Sequence, residues 1–196
     1  MEIYDKLTKV YPSEHFSLSN TQTVIEENEK EATTREVIIE HTGVDILKIS
    51  KSLLALERDS IANNPHTFVC DGVIAIDEKN KFIGYFELKS TCSTNNVLKA
   101  RSQITDSKHH LWSIASKSSI DMTSYTEKGV VITQPISDEA HRKARLRRQM
   151  NDEQGNGFSP YHFLLNLLKG KTNIDETGMP LLYFKAGEII PIGKIL

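Results

Sequence analysis

The sequence has few cysteines, no long apolar run and little net charge. Its 196 residues include only two cysteines, Cys70 and Cys92, which is too few for a disulfide framework and favours a reducing compartment. No apolar stretch approaches the roughly 18 residues of a membrane span, so we expect no membrane segment. The opening "MEIYDKLTKVYPSEHF" lacks the basic and apolar regions of a secretory signal. We therefore expect a cytoplasmic protein.

The near-neutral charge argues against a protein that coats nucleic acid by bulk charge. The net charge is −2 and the isoelectric point is about 6.4, so any contact with phosphates must be local. The clearest basic cluster is "HRKARLRR", residues 141–148, in a stretch compatible with a helix. Acidic residues on both sides fit a solvated helix face equally well. The candidate phosphate contacts are Arg142, Lys143, Arg145, Arg147 and Arg148.

The order of the elements predicts the fold class. We expect an N-terminal arm over residues 1–35, a core over 36–135 and an extension with two helices and a β-hairpin over 136–196, all in one domain. Hydrophobic periodicity predicts the core elements. These are a helix over 42–61 with a capping box at Thr42 and Asp45, strands over 67–76 and 81–90, a helix over 96–117 and a strand over 129–135. This order predicts an α/β fold with a mixed sheet flanked by helices.

One face of the strand "FIGYFELKST", residues 82–91, changes from apolar to ionic at Glu87 and Lys89. If residues 78–80 form a three-residue hairpin loop, the numbers of opposed residues sum to 158, so Asp71 faces Glu87. Two directly opposed carboxylates repel each other unless a positive charge lies between them. We therefore expect a divalent cation there, with Lys89 on the same face one strand repeat further on.

A further acid, Glu57, falls near the centre of the apolar arc of the first predicted helix. A carboxylate that points into a core is costly unless it is paired, protonated or bound to metal. The alternatives are that Glu57 lies at the edge of the arc and reaches solvent, or that it pairs with an arginine.

These residues resemble the PD-(D/E)xK phosphodiesterase superfamily, over residues 44–135. In "CDGVIAI" and "FELKST", Asp71 resembles the first acid of the motif, Glu87 the second and Lys89 the lysine, while Cys70 replaces the proline. Glu57 resembles an acid that some members supply from the first helix, and Gln103 a glutamine on the second. His41 is a less favoured alternative ligand, by resemblance to nucleases of segmented RNA viruses. The resemblance implies a restriction-endonuclease-like core of the α-β-β-β-α-β type.

The resemblance also implies a chemistry and its partners. Mg²⁺ or Mn²⁺ would be held by Asp71, Glu87, the Leu88 carbonyl and Glu57, with Lys89 acting on the attacking water. We expect Gln103 and Lys99 to approach the substrate backbone. The expected protein is an endonuclease that prefers DNA to RNA, in a restriction, mobile-element or antiviral defence setting. A homodimer or a partner protein is expected, because one such site cuts one strand.

Two alternatives stay open at this stage. The first is an RNA endonuclease, since the acids and the lysine act on phosphate rather than on base or 2′-hydroxyl. The second is a non-catalytic module that retains the fold, in which the acids and the lysine form a structural ion-pair cluster. In that case "HRKARLRR" or the apolar face of "YHFLLNLLKG" would bind nucleic acid or a partner chain.

Overall fold

The computed structural model describes residues 1–27, 32–157, 159–170, 173–174 and 178–196. No helix within these ranges is long and apolar enough to cross a membrane. The helices are α1 (Glu2–Leu7), α2 (Lys51–Ser60), α3 (Thr94–Lys117), α4 (Asp138–Glu153) and α5 (Pro160–Leu168). The strands are β1 (Phe16–Ser19), β2 (Gln22–Glu26), β3 (Glu36–Glu40), β4 (Ile46–Ile49), β5 (Gly72–Ile76), β6 (Phe82–Lys89), β7 (Thr126–Thr133), β8 (Asn173–Ile174), β9 (Pro180–Lys185) and β10 (Ile190–Pro191).

A seven-stranded mixed sheet forms the centre of the fold, in the order β1-β4-β5-β6-β7-β9-β8. The β5 and β6 strands are antiparallel, whereas β6 pairs in parallel with β7, and β7 in parallel with β9. The predicted succession of helix, strand, strand, helix and strand is confirmed by α2, β5, β6, α3 and β7. The α/β class with a mixed sheet is therefore confirmed.

The two faces of the central sheet pack against different layers. Val73, Tyr85 and Val131 belong to a core that includes buried residues of all five helices. Their neighbours Ile74 and Phe86 belong to a second core, shared with a three-stranded sheet in the order β10-β3-β2. Because β5 is buried on both faces, its sequence is a continuous apolar run rather than an alternating pattern.

The register of the β5–β6 hairpin agrees with the prediction. Val73 pairs with Tyr85 and Ala75 pairs with Ile83, so the numbers of opposed residues sum to 158. The ladder ends at the pair of Gly72 and Phe86, and the amide of Asp71, one residue before β5, also bonds to the carbonyl oxygen of Phe86 at 2.9 Å, one residue out of this register. Side chains two residues apart on a strand share a face. Glu87 and Lys89 therefore lie on the same face as Tyr85, which is covered by helices, and the carboxylate of Asp71 lies close to that of Glu87.

The predicted helix over 42–61 is wrong in its first half. Residues Ile46–Ile49 form β4, which pairs with both β1 and β5, and α2 begins only at Lys51. The N-cap is Ser50, whose Oγ accepts a hydrogen bond from the amide of Leu53 at 3.3 Å. Apolar residues at 46, 47 and 49 fit a strand buried on both faces as well as a helix. Pairing with two neighbouring strands decides between these structures, and the sequence motif at Thr42 does not cap a helix.

Two peripheral predictions are also wrong. The expected arm over 1–35 contains α1, β1 and β2, of which β1 joins the central sheet and β2 the second sheet, although residues 28–31 lie outside the described ranges. The expected hairpin of residues 181–187 with 188–196 is not found among the described residues, although β9 does pair antiparallel with β8. Instead β9 pairs with β7, and β10 pairs in parallel with β3. Short strands gain most of their burial by pairing with strands that are remote in the sequence, which local patterns do not reveal.

Candidate metal centre

Three buried carboxylates meet at the end of the β5–β6 hairpin that lies away from its loop. Glu27, Asp71 and Glu87 each place a carboxylate oxygen within 4.8 Å of the others. Asp71 directly precedes β5, Glu87 lies near the end of β6, and Glu27 follows β2 of the second sheet. The structure thus brings together the predicted pair of acids and adds Glu27, which the sequence analysis missed. We call these three residues the acid cluster.

Glu27 reaches the acid cluster because β2 passes close to the start of β5. A Cβ atom on Gly72 would lie only 2.8 Å from Cδ1 of Ile25, so the missing side chain permits this close approach. Glu27 lies two residues beyond Ile25, on the same side of the chain as Ile25. Its amide donates to the carbonyl oxygen of Arg35 at 2.8 Å. The second sheet therefore supplies one acid to a site built mainly by the central sheet.

The carboxylate of Asp71 accepts hydrogen bonds from β6 and from the first residue of α2. Its Oδ2 accepts a hydrogen bond from the amide of Leu88 at 2.8 Å, and its Oδ1 accepts one from Nζ of Lys51 at 2.7 Å. Leu88 is thus in contact with the acid cluster through its backbone N–H, and the part predicted for its carbonyl stays a prediction.

A polar stripe on α3 fixes the segment that leads into Asp71. Gln103, Ser107 and His110 are buried on one side of the helix, at spacings of three and four residues. Each bonds to the backbone of residues 68–70. The contacts are Gln103 Nε2 to the carbonyl of Val69 at 3.2 Å, the amide of Cys70 to Ser107 Oγ at 2.7 Å, and His110 Nε2 to the carbonyl of Phe68 at 3.1 Å. The α3 helix therefore positions the segment that leads into Asp71.

Lys89 is fixed between two of the other predicted site residues. Its ammonium group donates to Oε1 of Glu87 and, at 2.7 Å, to Oε1 of Gln103. Only 12% of the Lys89 side chain is exposed, so the amine has little freedom to move. Glu87, Lys89 and Gln103 form one continuous chain of polar contacts beside Asp71.

The electrostatics of the acid cluster favour an added positive charge. Burial, followed by the negative charge of Asp71, raises the pKa of Glu87 to about 8, although Lys89 acts in the opposite direction. Burial and a hydrogen bond with Glu27 likewise raise the pKa of Asp71. Oε2 of Glu87 is buried and has no hydrogen-bond partner among the described residues. Such an oxygen is costly to bury unless a proton or a cation satisfies it.

The residues of the acid cluster fit a hard divalent cation. Carboxylate oxygens are the ligands that Mg²⁺ and Mn²⁺ prefer, and three of them converge here. The unpartnered oxygen of Glu87 lies within this set. The two predicted ions, Mg²⁺ and Mn²⁺, therefore suit the donors present.

A second lysine, Lys51, also contacts the acid cluster and was missed from the sequence. Besides its bond to Asp71, its Nζ lies 3.6 Å from Oε1 of Glu27, and 35% of its side chain is exposed. Burial acts to lower its pKa, but the contacts with Asp71 and Glu27 outweigh burial and raise it. Ser50 followed by an apolar helical repeat is a valid start signal that would have placed Lys51 in the first turn.

Glu57 lies outside the acid cluster, contrary to the prediction. It is buried as expected, but both of its carboxylate oxygens accept from Nζ of Lys117 at 2.7 Å, and Oε1 also accepts from Ser113 Oγ at 2.5 Å. Because α2 begins at Lys51, Glu57 is six residues further on, which is roughly 9 Å along the helix axis. The alternative of an ion pair agrees better with the structure, although the partner is Lys117 of α3 rather than an arginine.

Glu57→Gln is accordingly expected to weaken the fold and leave metal binding unchanged. The neutral amide loses the charge that holds Lys117, so the free energy of unfolding should fall by about 1–2 kcal/mol. Urea denaturation measures this change, and calorimetric titration with Mn²⁺ tests the site. Glu14→Gln, which removes an exposed carboxylate, is the matched control. A clear loss of Mn²⁺ affinity in Glu57→Gln would restore Glu57 as a ligand.

Two other predicted residues have different surroundings. His41 is buried, and both of its ring nitrogens are engaged, Nδ1 with the carbonyl of Val44 and Nε2 with the hydroxyl of Thr23, each at 2.9 Å. It is therefore not available as the alternative ligand. Lys99 is exposed on α3, one turn before Gln103, and so lies on the same side of the helix as the site.

The basic cluster lies on α4, as the sequence predicted. Arg142, Arg145 and Arg148 line a cleft of about 840 Å³ between α4 and α5. Lys143 pairs with Glu139 at 2.6 Å, and Arg148 lies 3.7 Å from Asp152, so part of this charge is balanced within the helix. The α4 helix follows β7, whose last residue, Thr133, pairs with Lys89.

The arrangement as a whole can bind a hard cation beside a fixed amine. The acids are buried, the amine of Lys89 is held by two side chains, and Lys51, which contacts Asp71, is 35% exposed. Comparisons with protein-family models, with curated proteins and with solved structures found no match for this chain.

Proposed function

We propose that this protein is a metal-dependent endonuclease that hydrolyses phosphodiester bonds, with DNA preferred to RNA. The observation that supports it most is the buried acid cluster, with its unpartnered Glu87 oxygen, next to a lysine held by a glutamine. The order of the elements and the hairpin register support a restriction-endonuclease-like core. The resemblance to PD-(D/E)xK nucleases is the reason for preferring DNA.

Each residue of the site has a part in this proposal. Asp71, Glu87 and Glu27, together with the carbonyl of Leu88, would hold Mg²⁺ or Mn²⁺. Such an ion neutralises phosphate charge and lowers the pKa of bound water. Lys89 donates hydrogen bonds, so its amine can hold the attacking water and stabilise negative charge on the phosphate. Gln103 acts through Lys89, by fixing the direction of its amine.

The substrate backbone would be bound by separate cationic residues. Lys99 lies on α3 beside the site, and α4 presents Arg142, Lys143 and Arg145 as exposed side chains. Because β6 and β7 are parallel and end together at Lys89 and Thr133, the chain leaves β7 for α4 at the same edge of the sheet as Lys89. The phosphates of the substrate backbone would therefore lie along a path from the acid cluster towards α4. We further propose that the protein acts in the cytoplasm, as a homodimer or with a partner protein.

Cleavage assays test the proposal directly. Purified protein with Mn²⁺ is incubated with supercoiled plasmid and with a structured RNA, and EDTA is the control. We expect nicked and linear plasmid in Mn²⁺ and none in EDTA. If the RNA is cleaved and the plasmid stays intact, the substrate is RNA rather than DNA. Absence of cleavage of either nucleic acid, with no heat of Mn²⁺ binding at millimolar concentration, would overturn the proposal.

One observation favours the non-catalytic alternative. Lys51 and Lys89 each pair with an acid of the cluster, so these acids already have positive partners without a metal. A binding module that retained the fold would need no more than this. The unpartnered oxygen of Glu87 weighs against it, because a buried ion pair stabilises a fold only when further hydrogen bonds satisfy its remaining carboxylate oxygens. Calorimetry with Mn²⁺ separates the two functions.

A further inference from the structure

The two lysines at the acid cluster are held in different ways. Lys89 is 12% exposed and bonds to two side chains, Glu87 and Gln103. Lys51 is 35% exposed, and its amine contacts Asp71 and Glu27. Of the two lysines among the described residues that contact the acid cluster, Lys51 is the one that touches two of the three carboxylates and has the larger exposed fraction.

The amine of Lys51 competes with a divalent cation for the same oxygens. It lies 2.7 Å from Oδ1 of Asp71 and 3.6 Å from Oε1 of Glu27, and these acids are two of the three that would hold the ion. Two positive centres at such a short separation repel each other strongly at the dielectric constant of a partly buried site. A bound cation and the amine in its present position are therefore mutually unfavourable.

We propose that Lys51 is an exchangeable counter-ion of the acid cluster, an inference that rests on the proposed function. In the metal-free protein it neutralises Asp71 and Glu27, and it leaves them when a divalent cation enters. Its backbone stays in place, because Ser50 caps the helix there, and the exposed four-carbon side chain turns towards solvent. Lys51 thereby sets the concentration of metal at which the site is filled.

Lys51→Met tests this inference by calorimetric titration with Mn²⁺ at one fixed pH. Methionine keeps much of the side-chain volume and removes the competing charge. We expect Mn²⁺ to bind about tenfold more tightly or better than in the wild type. Lys79→Met is the matched control, since Lys79 is an exposed lysine in the hairpin loop at the far end of β5, and its Mn²⁺ affinity should equal that of the wild type. Lys51→Arg keeps the charge and should also bind Mn²⁺ with wild-type affinity.

The outcomes separate this inference from the function on which it rests. An equal or weaker Mn²⁺ affinity in Lys51→Met overturns the counter-ion role and leaves the endonuclease proposal standing. Failure of the wild type to bind Mn²⁺ at millimolar concentration overturns both. If Lys51→Met does not fold in EDTA, Lys51→Gln takes its place with the same expectation, because its amide can still donate to Asp71.

Discussion

Replacing Lys89 by methionine is expected to slow plasmid cleavage by about 10²–10⁴-fold, the range found for a well-placed acid–base group. The amine of Lys89 is fixed by Glu87 and Gln103, so the wild type holds it in one direction without reorganisation during the reaction. Methionine fills similar space and cannot donate a hydrogen bond or carry charge. Single-turnover cleavage of plasmid at saturating Mn²⁺ measures the effect on the chemical step.

Metal binding distinguishes the role of Lys89 from a general loss of the site. Because Asp71, Glu27 and Glu87 all remain in Lys89→Met, calorimetry should still detect Mn²⁺ binding. Lys79→Met, remote from the acid cluster, should cleave at the wild-type rate. A Lys89→Met protein that cleaves within about threefold of the wild type would remove Lys89 from the chemistry. Loss of Mn²⁺ binding together with cleavage would make Lys89 a positioning residue for Glu87.

The hairpin shows which part of the site was predictable. A three-residue loop and the period of two along a strand together fix which side chains face each other. These rules predict Asp71, Glu87 and Lys89 on one face; the structure has the predicted register from Gly72 to Ile76, and the carboxylate of Asp71, just before it, lies close to that of Glu87. The burial of Glu57 followed in the same way from the helical period. Local periodicity thus determines orientation within one or two adjacent elements.

Glu27 and Lys51 show why the rest of the site was not predictable. Glu27 is 44 residues from Asp71 in the sequence and comes from a different sheet, in a run that composition assigned to an arm. Its approach depends on the lack of a side chain at Gly72 and on packing against Ile25, a tertiary contact without a local signal. The position of Lys51 in the first turn of α2 could not be predicted, because residues 46–49 fit a helix and a strand equally well and the helix was expected to begin earlier. The partner of Glu57 also required the packing of α2 on α3.

The pH dependence of stability provides a test of the acid cluster that needs no substrate. The pKa of Glu87 rises from 4.5 to about 8 on folding, with burial as the largest cause. Between these values the folded protein keeps a proton that the unfolded chain has released, so stability decreases as pH rises, by about 1.4 kcal/mol for each pH unit. This loss is complete once the pH passes about 8. Asp71, whose pKa is also raised, contributes in the same direction at lower pH.

Glu87→Gln should therefore stabilise the metal-free protein at alkaline pH. The amide is never charged, so the variant should exceed the wild type by about 1–4 kcal/mol above pH 8 and approach it near pH 5. Urea denaturation in EDTA across this range measures the difference. Comparison with the wild type is essential, because burial lowers the pKa of His110, which by itself makes stability rise with pH. Parallel profiles for the two proteins would show that Glu87 ionises normally in the fold.

Adding Mn²⁺ should reverse the alkaline loss in the wild type. A cation that binds only the folded state stabilises it by about 2.7 kcal/mol at a concentration one hundred times its dissociation constant. The ion binds the ionised form of Glu87, so its stabilising effect should grow as pH rises towards 8. Glu87→Gln lacks this charge and should gain much less from Mn²⁺ than the wild type near pH 8, with the difference shrinking towards pH 5. Equal gains in both proteins would place the bound ion away from Glu87 and remove Glu87 from the set of metal ligands.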